Sequence, residues 1–322
     1  MKPVVSIITP YLNAAEFLGE AIASVENQTF RQWELLLVDD GSSDESREIA
    51  EGAAARDPRI RSLVRPSKRD PGAASARNWG IEQASGEFLS FLDADDRFLP
   101  EKLSTEVGLM KRFPGADMIC GGTSWWHPSD RSRDWSDEIR SVRPGLYDPP
   151  FLLNFALLLQ RTHMPCLCSA MIRRGALPAP TAFEPSLALY EDQSFFLKIM
   201  AERPVYIGRH VTAQYRQHSG STSFKARDSG EYRRIGPHPA RTTFLAWTRT
   251  YLEARPELFA KSEKALLLAE AVQSGDYSRI DKRQRADLIA WRARKIAAMP
   301  PKRAWGWLRR RYLMVRLRGR RA

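Results

Sequence analysis

Phe88-Leu89-Ser90-Phe91-Leu92-Asp93-Ala94-Asp95-Asp96 is an apolar segment that ends in three carboxylates. A buried strand is normally followed by a neutral turn residue, because crowded negative charges repel one another. A divalent cation would offset this repulsion, and hard ions such as Mg²⁺ and Mn²⁺ prefer oxygen ligands. Alternatively, Asp95 and Asp96 start a helix whose first turn contains Pro100. The segment therefore predicts a strand that leads into either a metal site or a helix.

Strand-like and helix-like segments alternate through the first third of the chain. Short apolar runs at residues 4–8, 35–38, 60–64 and 88–92 are typical of strands buried on both faces. Between the first two runs, apolar residues recur at helical spacing: Phe17, Leu18, Ala21, Ile22 and Val25. Such alternation favours an α/β fold with a mostly parallel sheet and right-handed crossovers.

Hydroxyl and carboxylate side chains follow three of these strands. Thr9 comes after the first strand, Asp39 and Asp40 after the second, and residues 93–96 after the fourth. Because open α/β sheets bind ligands at the carboxyl ends of their strands, we expect these side chains to face one ligand site. The chain has no Gly-x-Gly-x-x-Gly or Walker motif and no nucleophile elbow, so dinucleotide, P-loop and serine-hydrolase chemistries lose their usual support.

The pattern is less regular beyond Met118. The apolar segments predict one helix and three short strands, at residues 152–159, 168–173, 205–207 and 211–215. Glu191 and Asp192 precede apolar residues with helical spacing, which places both acids at the start of a helix. From about Ser229 onward the chain is predicted to be helical and rich in arginine.

The composition limits the class of protein. A chain of 322 residues with 43% hydrophobic content allows one large domain, or one domain with an appendage. No apolar run reaches the roughly 20 residues that a membrane-spanning helix needs, and residues 4–9 resemble a strand more than a leader, so a cytoplasmic location is expected. The cysteines have neither the spacing of a zinc site nor the even count of a disulfide framework, and we expect reduced, buried thiols at Cys120, Cys166 and Cys168.

The positive charge is concentrated in a tail. The net charge is +12, but residues 302–322 contain nine Lys or Arg and no acid, which leaves +3 for the rest of the chain. Since nothing else matches a nucleic-acid recognition motif, no nucleic-acid partner is expected. The tail mixes its arginines with Trp305, Leu308 and Tyr312, which suits peripheral contact with an anionic membrane at the inner face of the cell membrane. Its weak amphipathicity also allows a solvated or partner-bound helix.

Four segments resemble, in order and spacing, the signature of family 2 glycosyltransferases. They are SIITPYLN at residues 6–13, VDDGSSD at 38–44, ARNWGI at 76–81 and FLDADD at 91–96. The resemblance covers residues 3 to about 222. It implies a GT-A-type nucleotide-binding sheet flanked by helices, and inverting transfer of a sugar from a nucleotide-sugar donor, usually UDP-linked, to a hydroxyl of a glycan or glycolipid acceptor.

The resemblance also implies a division of the chain. Residues 1–228 are expected to form the catalytic domain, followed by a helical, basic extension at 229–322. Within the catalytic domain, residues 1–117 are expected to bind the nucleotide-sugar and residues 118–228 the acceptor.

Individual residues take family roles where they match the motifs. Thr9, Asp39 and Asp40 match the pocket for the nucleotide base, with Asp40 expected to hydrogen-bond the base. Arg77 and Asn78 match a helix that approaches the nucleotide. By sequence alone, the alternative interpretation of Asp40 is a turn residue before a glycine. The alternative for Arg77 is a solvated charge.

The metal ligands and the base come from other motifs. Asp95 is the expected direct ligand of Mn²⁺ or Mg²⁺, with Asp93 at the ribose or in the metal's water shell and His218 at the metal or the diphosphate. Asp192 matches the general base that takes the acceptor proton, while Glu191 orients the site or caps the helix. The alternative for Asp192 is a favourable charge at a helix start, worth about 0.3–1 kcal/mol.

Two other functions share part of this sequence pattern. A sugar-nucleotide transferase would share the nucleotide-binding sheet, but Pro10-Tyr11-Leu12-Asn13 is not the glycine-rich basic loop which that chemistry uses. A nucleic-acid-binding protein would rest on the basic tail alone. The sequence therefore favours a metal-dependent inverting glycosyltransferase, as in bacterial cell-surface polysaccharide synthesis.

Overall fold

A computed structural model describes residues 2–66, 71–137, 139, 141–162, 164–179, 181–233 and 237–297 of the protein. The predicted membrane contact at residues 302–322 lies outside these ranges. Within them, no helix has both the length and the apolar character that crossing a bilayer requires.

The strands of the described residues form one mixed sheet. They are β1 (Val5–Tyr11), β2 (Trp33–Asp39), β3 (Ile60–Val64), β4 (Phe88–Phe91), β5 (Arg97–Phe98), β6 (Met118–Trp126), β7 (Trp135–Asp137), β8 (Gly145–Tyr147), β9 (Ala170–Arg173) and β10 (Val205–Arg216). The order is β3-β2-β1-β4-β9-β6-β10-β5, with β7 beside β6 and β8 beside β10. β3, β2, β1 and β4 are parallel, and β9 runs antiparallel between β4 and β6. The predicted α/β class with a mostly parallel sheet is confirmed.

Helices cover this sheet. Their bounds are α1 (Ala15–Glu26), α2 (Ser46–Arg56), α3 (Ala73–Gln83), α4 (Lys102–Arg112), α5 (Glu191–Glu202), α6 (Thr222–Asp228), α7 (Pro239–Glu253), α8 (Pro256–Ser274) and α9 (Lys282–Ala297). The extension predicted to be helical from residue 229 is helical in α7, α8 and α9. The domain boundary at residue 228 stays a prediction.

Alternating side chains of the central strands enter two separate cores. Ile7 of β1 and Leu35 of β2 pack in one cluster with α1, α2 and α4. Their neighbours Ile8 and Leu36 point to the other face, into a cluster that contains α5, α7 and α8. Successive side chains of a strand point to opposite faces, so a sheet with apolar residues at every position needs helices on both sides.

Three segments differ from the sequence-based expectation. The predicted helix at 152–159 is a π-helical turn, Leu153–Leu158, whose wide turn apolar periodicity does not distinguish from an α-helix. The strand expected from Cys168 begins at Ala170, after a 3₁₀ turn. The two strands expected at 205–207 and 211–215 are the single strand β10, which stays paired to β6 through two register shifts.

Leu266→Ala tests whether the extension contributes to the main core. Leu266 in α8 is fully buried in the same cluster as Phe91 of the sheet, so its truncation should lower the free energy of unfolding by about 2–5 kcal/mol. Ile289→Ala in α9 is the control, because Ile289 is 67% exposed, and its effect should stay within about 0.5 kcal/mol. Urea unfolding measures both values, and equal stabilities of the two variants would contradict the prediction.

Candidate active site

The predicted donor-site acids meet at one edge of the sheet. In the parallel register, the end of β1 lies beside Asp39 at the end of β2 and beside the turn that follows β4. Four carboxylates therefore lie along this edge, which we call the acidic rim: Asp39, Asp40, Asp93 and Asp95.

Asp39 and Asp40 hold the loops that follow β2. Asp39 accepts backbone hydrogen bonds from Gly41 and Ser42 and pairs with Arg47 at 2.5 Å. Burial alone would raise the pKa of Asp39, but these donors outweigh burial and lower it. Asp40 accepts from Arg65 and, at 2.6 Å, from the backbone N–H that precedes α3. Their role at a nucleotide base stays a prediction.

Thr9 and Asn78 lie elsewhere than the sequence predicts. Thr9 is expected after the first strand, but β1 extends to Tyr11, so Thr9 lies inside the strand. Its side chain is 1% exposed, and its hydroxyl has no hydrogen-bond partner among the described residues. The side-chain amide of Asn78 donates to the carbonyl of Phe183 and accepts from the N–H of the same residue, at 2.9 and 3.0 Å. The hydrogen bonds of Asn78 with Phe183 join α3 to the segment before α5. Contact of Asn78 with a nucleotide stays a prediction.

Arg77 joins the two predicted halves of the site. Its guanidinium is buried and pairs with Asp93 at 2.5 Å and with Glu191 at 3.2 Å. The ring of Phe183 lies 5.3 Å below it. Burial lowers the pKa of an arginine, but the two carboxylates outweigh burial and raise the pKa of Arg77 above its usual value. A solvated charge, the alternative interpretation of Arg77, does not fit these contacts.

Glu191 and Asp192 lie in the first turn of α5, beside Arg77. Burial is the largest cause that raises the pKa of Glu191, to about 7, and the charge of Asp192 adds to it while Arg77 opposes it. Burial also raises the pKa of Asp192, again against the effect of Arg77. Asp192 Oδ1 accepts the N–H of Gln193 at 2.7 Å. A carboxylate with a raised pKa in a cleft is suited to proton transfer near neutral pH.

The extension holds the turn before these acids. Tyr190 has φ = 74°, a left-handed conformation that an aromatic residue rarely adopts. Its ring stacks on Phe244 of α7 at 4.9 Å, and its hydroxyl lies 3.2 Å from Nε2 of His238. Sequence analysis missed this contact, because no local pattern relates Tyr190 to a helix some 50 residues later.

Asp95 and His218, the predicted metal ligands, form a hydrogen-bonded pair. Asp95 Oδ2 and His218 Nε2 are 3.0 Å apart, and both side chains are partly exposed. Neighbouring ligands of an octahedral ion with bonds of about 2.1 Å stand about 3 Å apart, so the pair fits one divalent ion. Asp93 does not join them in a compact three-ligand group among the described residues, since it pairs with Arg77.

Asp96 does not start a helix. Helix α4 begins at Lys102, so the alternative interpretation of the Asp95–Asp96 pair as a helix start is wrong. Asp96 is 1% exposed and accepts the backbone N–H of Arg216 at 2.9 Å, while the guanidinium of Arg216 donates to the carbonyl of Asp95 at 2.6 Å. This guanidinium lies over the Trp126 ring at 4.2 Å. Arg216, which sequence analysis did not single out, fixes the turn of Asp95 and Asp96 to the end of β10.

An α/β sheet that carries an acidic rim at the carboxyl ends of its parallel strands is the arrangement expected for a glycosyltransferase of the GT-A type. The model of the family described as "Glycosyl transferase family 2" matches residues 6–179, just over half of the chain. The chain belongs to this family, and the family predicted from the four motifs is confirmed.

Similar proteins agree with this assignment. An "Uncharacterized glycosyltransferase" of Rickettsia felis is 28% identical over 229 residues, which are 71% of this chain and 36% of that protein. The "Putative teichuronic acid biosynthesis glycosyltransferase TuaG" of Bacillus subtilis is 38% identical over 109 residues, 34% of this chain and 42% of that protein. The chain thus spans less than half the length of both relatives.

Solved structures share the fold. S. aureus TarS 1-349, crystallised in complex with UDP-GlcNAc, superposes with a TM-score of 0.61 at 20% sequence identity. The superposition covers 94% of this chain and 83% of the TarS chain. At this coverage, the likeness includes residues beyond 179, where the match to the family model ends.

Glu191→Gln should change how stability depends on pH. Because burial and Asp192 raise the pKa of Glu191 from 4.5 to about 7, the folded protein binds more protons here than the unfolded chain between these pH values. The contribution of Glu191 to the free energy of unfolding is therefore complete below pH 4.5 and is lost as the pH rises towards 7.

Urea unfolding across this pH range measures the effect. Wild type should lose stability relative to Glu191→Gln as the pH rises, whereas Glu48→Gln, an exposed acid in the first turn of α2, should follow the wild-type profile. Parallel profiles of wild type and Glu191→Gln would contradict the raised pKa.

Proposed function

We propose that the protein is a metal-dependent, inverting glycosyltransferase that moves a sugar from a nucleotide-sugar donor to a hydroxyl of a glycan or lipid-linked acceptor. The observation that carries the proposal is the pairing of Arg77 with both Asp93 and Glu191. It ties the turn that follows β4, the predicted donor side, to the start of α5, the predicted acceptor side. A transfer reaction needs both substrates in one place, and this pairing brings their binding elements together.

Asp192 is the proposed general base. In an inverting transfer, the acceptor oxygen attacks the anomeric carbon from the face opposite the leaving diphosphate, and a carboxylate removes its proton. Burial beside Glu191 raises the pKa of Asp192 and makes it a stronger base, and Arg77 keeps enough positive charge nearby for the ionised form to exist. Glu191, paired with Arg77, is the proposed orienting residue.

Asp95 and His218 are the proposed ligands of Mn²⁺ or Mg²⁺. When bound, such an ion offsets the negative charge of the diphosphate that leaves the sugar. Arg216 supports this geometry, because it holds the Asp95 carbonyl and thereby the direction of the side chain. Asp93 lies next to the pair with one oxygen on Arg77, and its second oxygen is the proposed contact to the donor ribose or to a metal-bound water.

UDP is the proposed nucleotide, and the rim carboxylates Asp39 and Asp40 with Thr9 are its proposed base pocket. The TarS chain of similar fold was crystallised with UDP-GlcNAc, which makes this compound the first donor to test. Cell-surface polysaccharide synthesis is the proposed pathway class, supported by the likeness to the putative teichuronic acid enzyme. The basic tail is proposed to bring the enzyme to the inner face of the membrane, where lipid-linked acceptors lie.

Asp192→Asn should separate binding from turnover. The amide keeps the shape of the side chain but cannot take a proton, so turnover should fall by about 10²–10⁴-fold while UDP affinity stays within twofold or so. Glu257→Gln is the control, since Glu257 is an exposed acid in the first turn of α8. Donor consumption with a panel of acceptors and calorimetry with UDP give the two quantities. Wild-type turnover in Asp192→Asn would exclude Asp192 as the base.

Asp95→Ala should remove the metal dependence of donor binding. In wild type, UDP should bind more tightly with Mn²⁺ than without it, and the variant should show the metal-free affinity under both conditions, because one ligand of the ion is lost. Asp228→Ala, an exposed acid at the end of α6, serves as the control. Calorimetry measures these affinities, and equal wild-type affinity with and without Mn²⁺ would contradict the metal scheme.

A further inference from the structure

Two cysteines and one aspartate converge behind the acidic rim. Strands β4 and β9 are antiparallel neighbours, so the turn that leaves β4 must lie beside the segment that enters β9. Asp96 is in the first of these segments, and Cys166 and Cys168 are in the second. One carboxylate oxygen and both thiol sulfurs lie within 4.8 Å of one another. We call these three residues the thiol–carboxylate cluster.

The buried carboxylate of Asp96 is only partly hydrogen-bonded. One oxygen accepts the N–H of Arg216, but Oδ2 is buried and finds no hydrogen-bond partner in the part of the chain that the structure describes. No basic side chain of the described residues forms an ion pair with Asp96; that of Arg216 pairs with Glu20 instead. A buried polar atom that lacks a partner destabilises the folded state, so a ligand at Oδ2 would relieve this cost.

We propose that the thiol–carboxylate cluster binds Zn²⁺ as a site separate from the one at Asp95 and His218. Thiolate sulfur selects zinc and disfavours the hard ions Mg²⁺ and Mn²⁺. With Zn–S bonds of about 2.3 Å and Zn–O bonds of about 2.0 Å, the ligand atoms of a tetrahedral ion stand about 3.3–3.8 Å apart. Because the three ligand atoms lie within 4.8 Å of one another, they are at most about 1.5 Å farther apart than around a bound ion. The protons that the two thiols and the Asp96 carboxyl carry are released to solvent on binding.

The exposure of the ligands gives the ion a way in. Cys168 is 2% exposed and Asp96 1%, whereas Cys166 is only partly buried and lines a small cavity with Thr123, Trp125 and Met164. Cys166 is therefore the most solvent-accessible of the three ligands. Zinc bound here would link the turn that carries Asp93 and Asp95 to the start of β9. It would thereby stabilise the position of this part of the acidic rim.

Cobalt substitution tests the site with a readout that does not depend on activity. Co²⁺ added to the purified, metal-free full-length protein should produce a thiolate-to-cobalt charge-transfer absorption band and visible bands of a tetrahedral ion, and Zn²⁺ should displace them. Cys166→Ser and Cys168→Ser should each abolish the charge-transfer band. Cys120→Ser is the matched control, because Cys120 is buried in β6 outside the cluster, and it should keep the band.

Two further measurements separate the outcomes. Asp95→Ala should retain the cobalt band, since Asp95 belongs to the other metal site, and excess Mg²⁺ should not displace it. Zn²⁺ at about 100 times its Kd should raise the melting temperature of wild type by on the order of 5 °C and leave that of Cys166→Ser unchanged. A wild-type protein without the charge-transfer band, or a band that survives in the Cys166→Ser/Cys168→Ser double variant, would overturn the proposal. Either result leaves the glycosyltransferase proposal intact, because neither Asp192 nor Asp95 takes part.

Discussion

The ion pairs of Arg77 with Asp93 and Glu191 hold the site together. The Arg77 side chain is 4% exposed, while those of Asp93 and Glu191 are partly buried, at 32% and 22% exposed. Removing one partner of a buried pair typically costs about 3–5 kcal/mol, because the remaining charge is left without compensation. Helix α3, the turn after β4 and the start of α5 must therefore fold into one arrangement. The planar fork of arginine can serve two carboxylates at once, which the single ammonium of lysine does less well.

The carboxylates of the site divide into two kinds by their surroundings. Asp39 receives several hydrogen bonds, which lower its pKa and keep it ionised as a support of the loop. Glu191 and Asp192 are desolvated next to each other and to Asp93, and their pKa values are raised. One arginine faces three acids there, so the region has surplus negative charge. Such a region attracts cations and basic hydrogen-bond donors and retains a carboxylate able to accept a proton.

The helical extension contributes to the site although the family model ends before it. The match stops at residue 179, ahead of the Glu191–Asp192 pair. Tyr190 takes its left-handed conformation against Phe244 and His238. A strained residue persists only where its surroundings fix it, and here those surroundings come from α7. The direction of the first turn of α5, and hence of Asp192, depends on the extension.

The sequence by itself determined the sheet, its rim and the family. Apolar runs alternating with helical periodicity predict a parallel sheet, and the sheet's polarity places Asp39, Asp40 and Asp93 at one edge, because all parallel strands end on the same side. These are consequences of local patterns and of topology. The motifs then pointed to Asp192, about a hundred residues beyond Asp93.

Only the tertiary structure decided which charges meet. Arg77 with Glu191, Tyr190 with His238, and Asp96 with Cys166 and Cys168 are pairs or groups from distant parts of the chain. The spacing of Cys166 and Cys168 gave no sign of a site, because the third ligand arrives through the β4–β9 pairing. Strand order across the sheet and the packing of side chains between elements set these contacts, and no local periodicity encodes either of them.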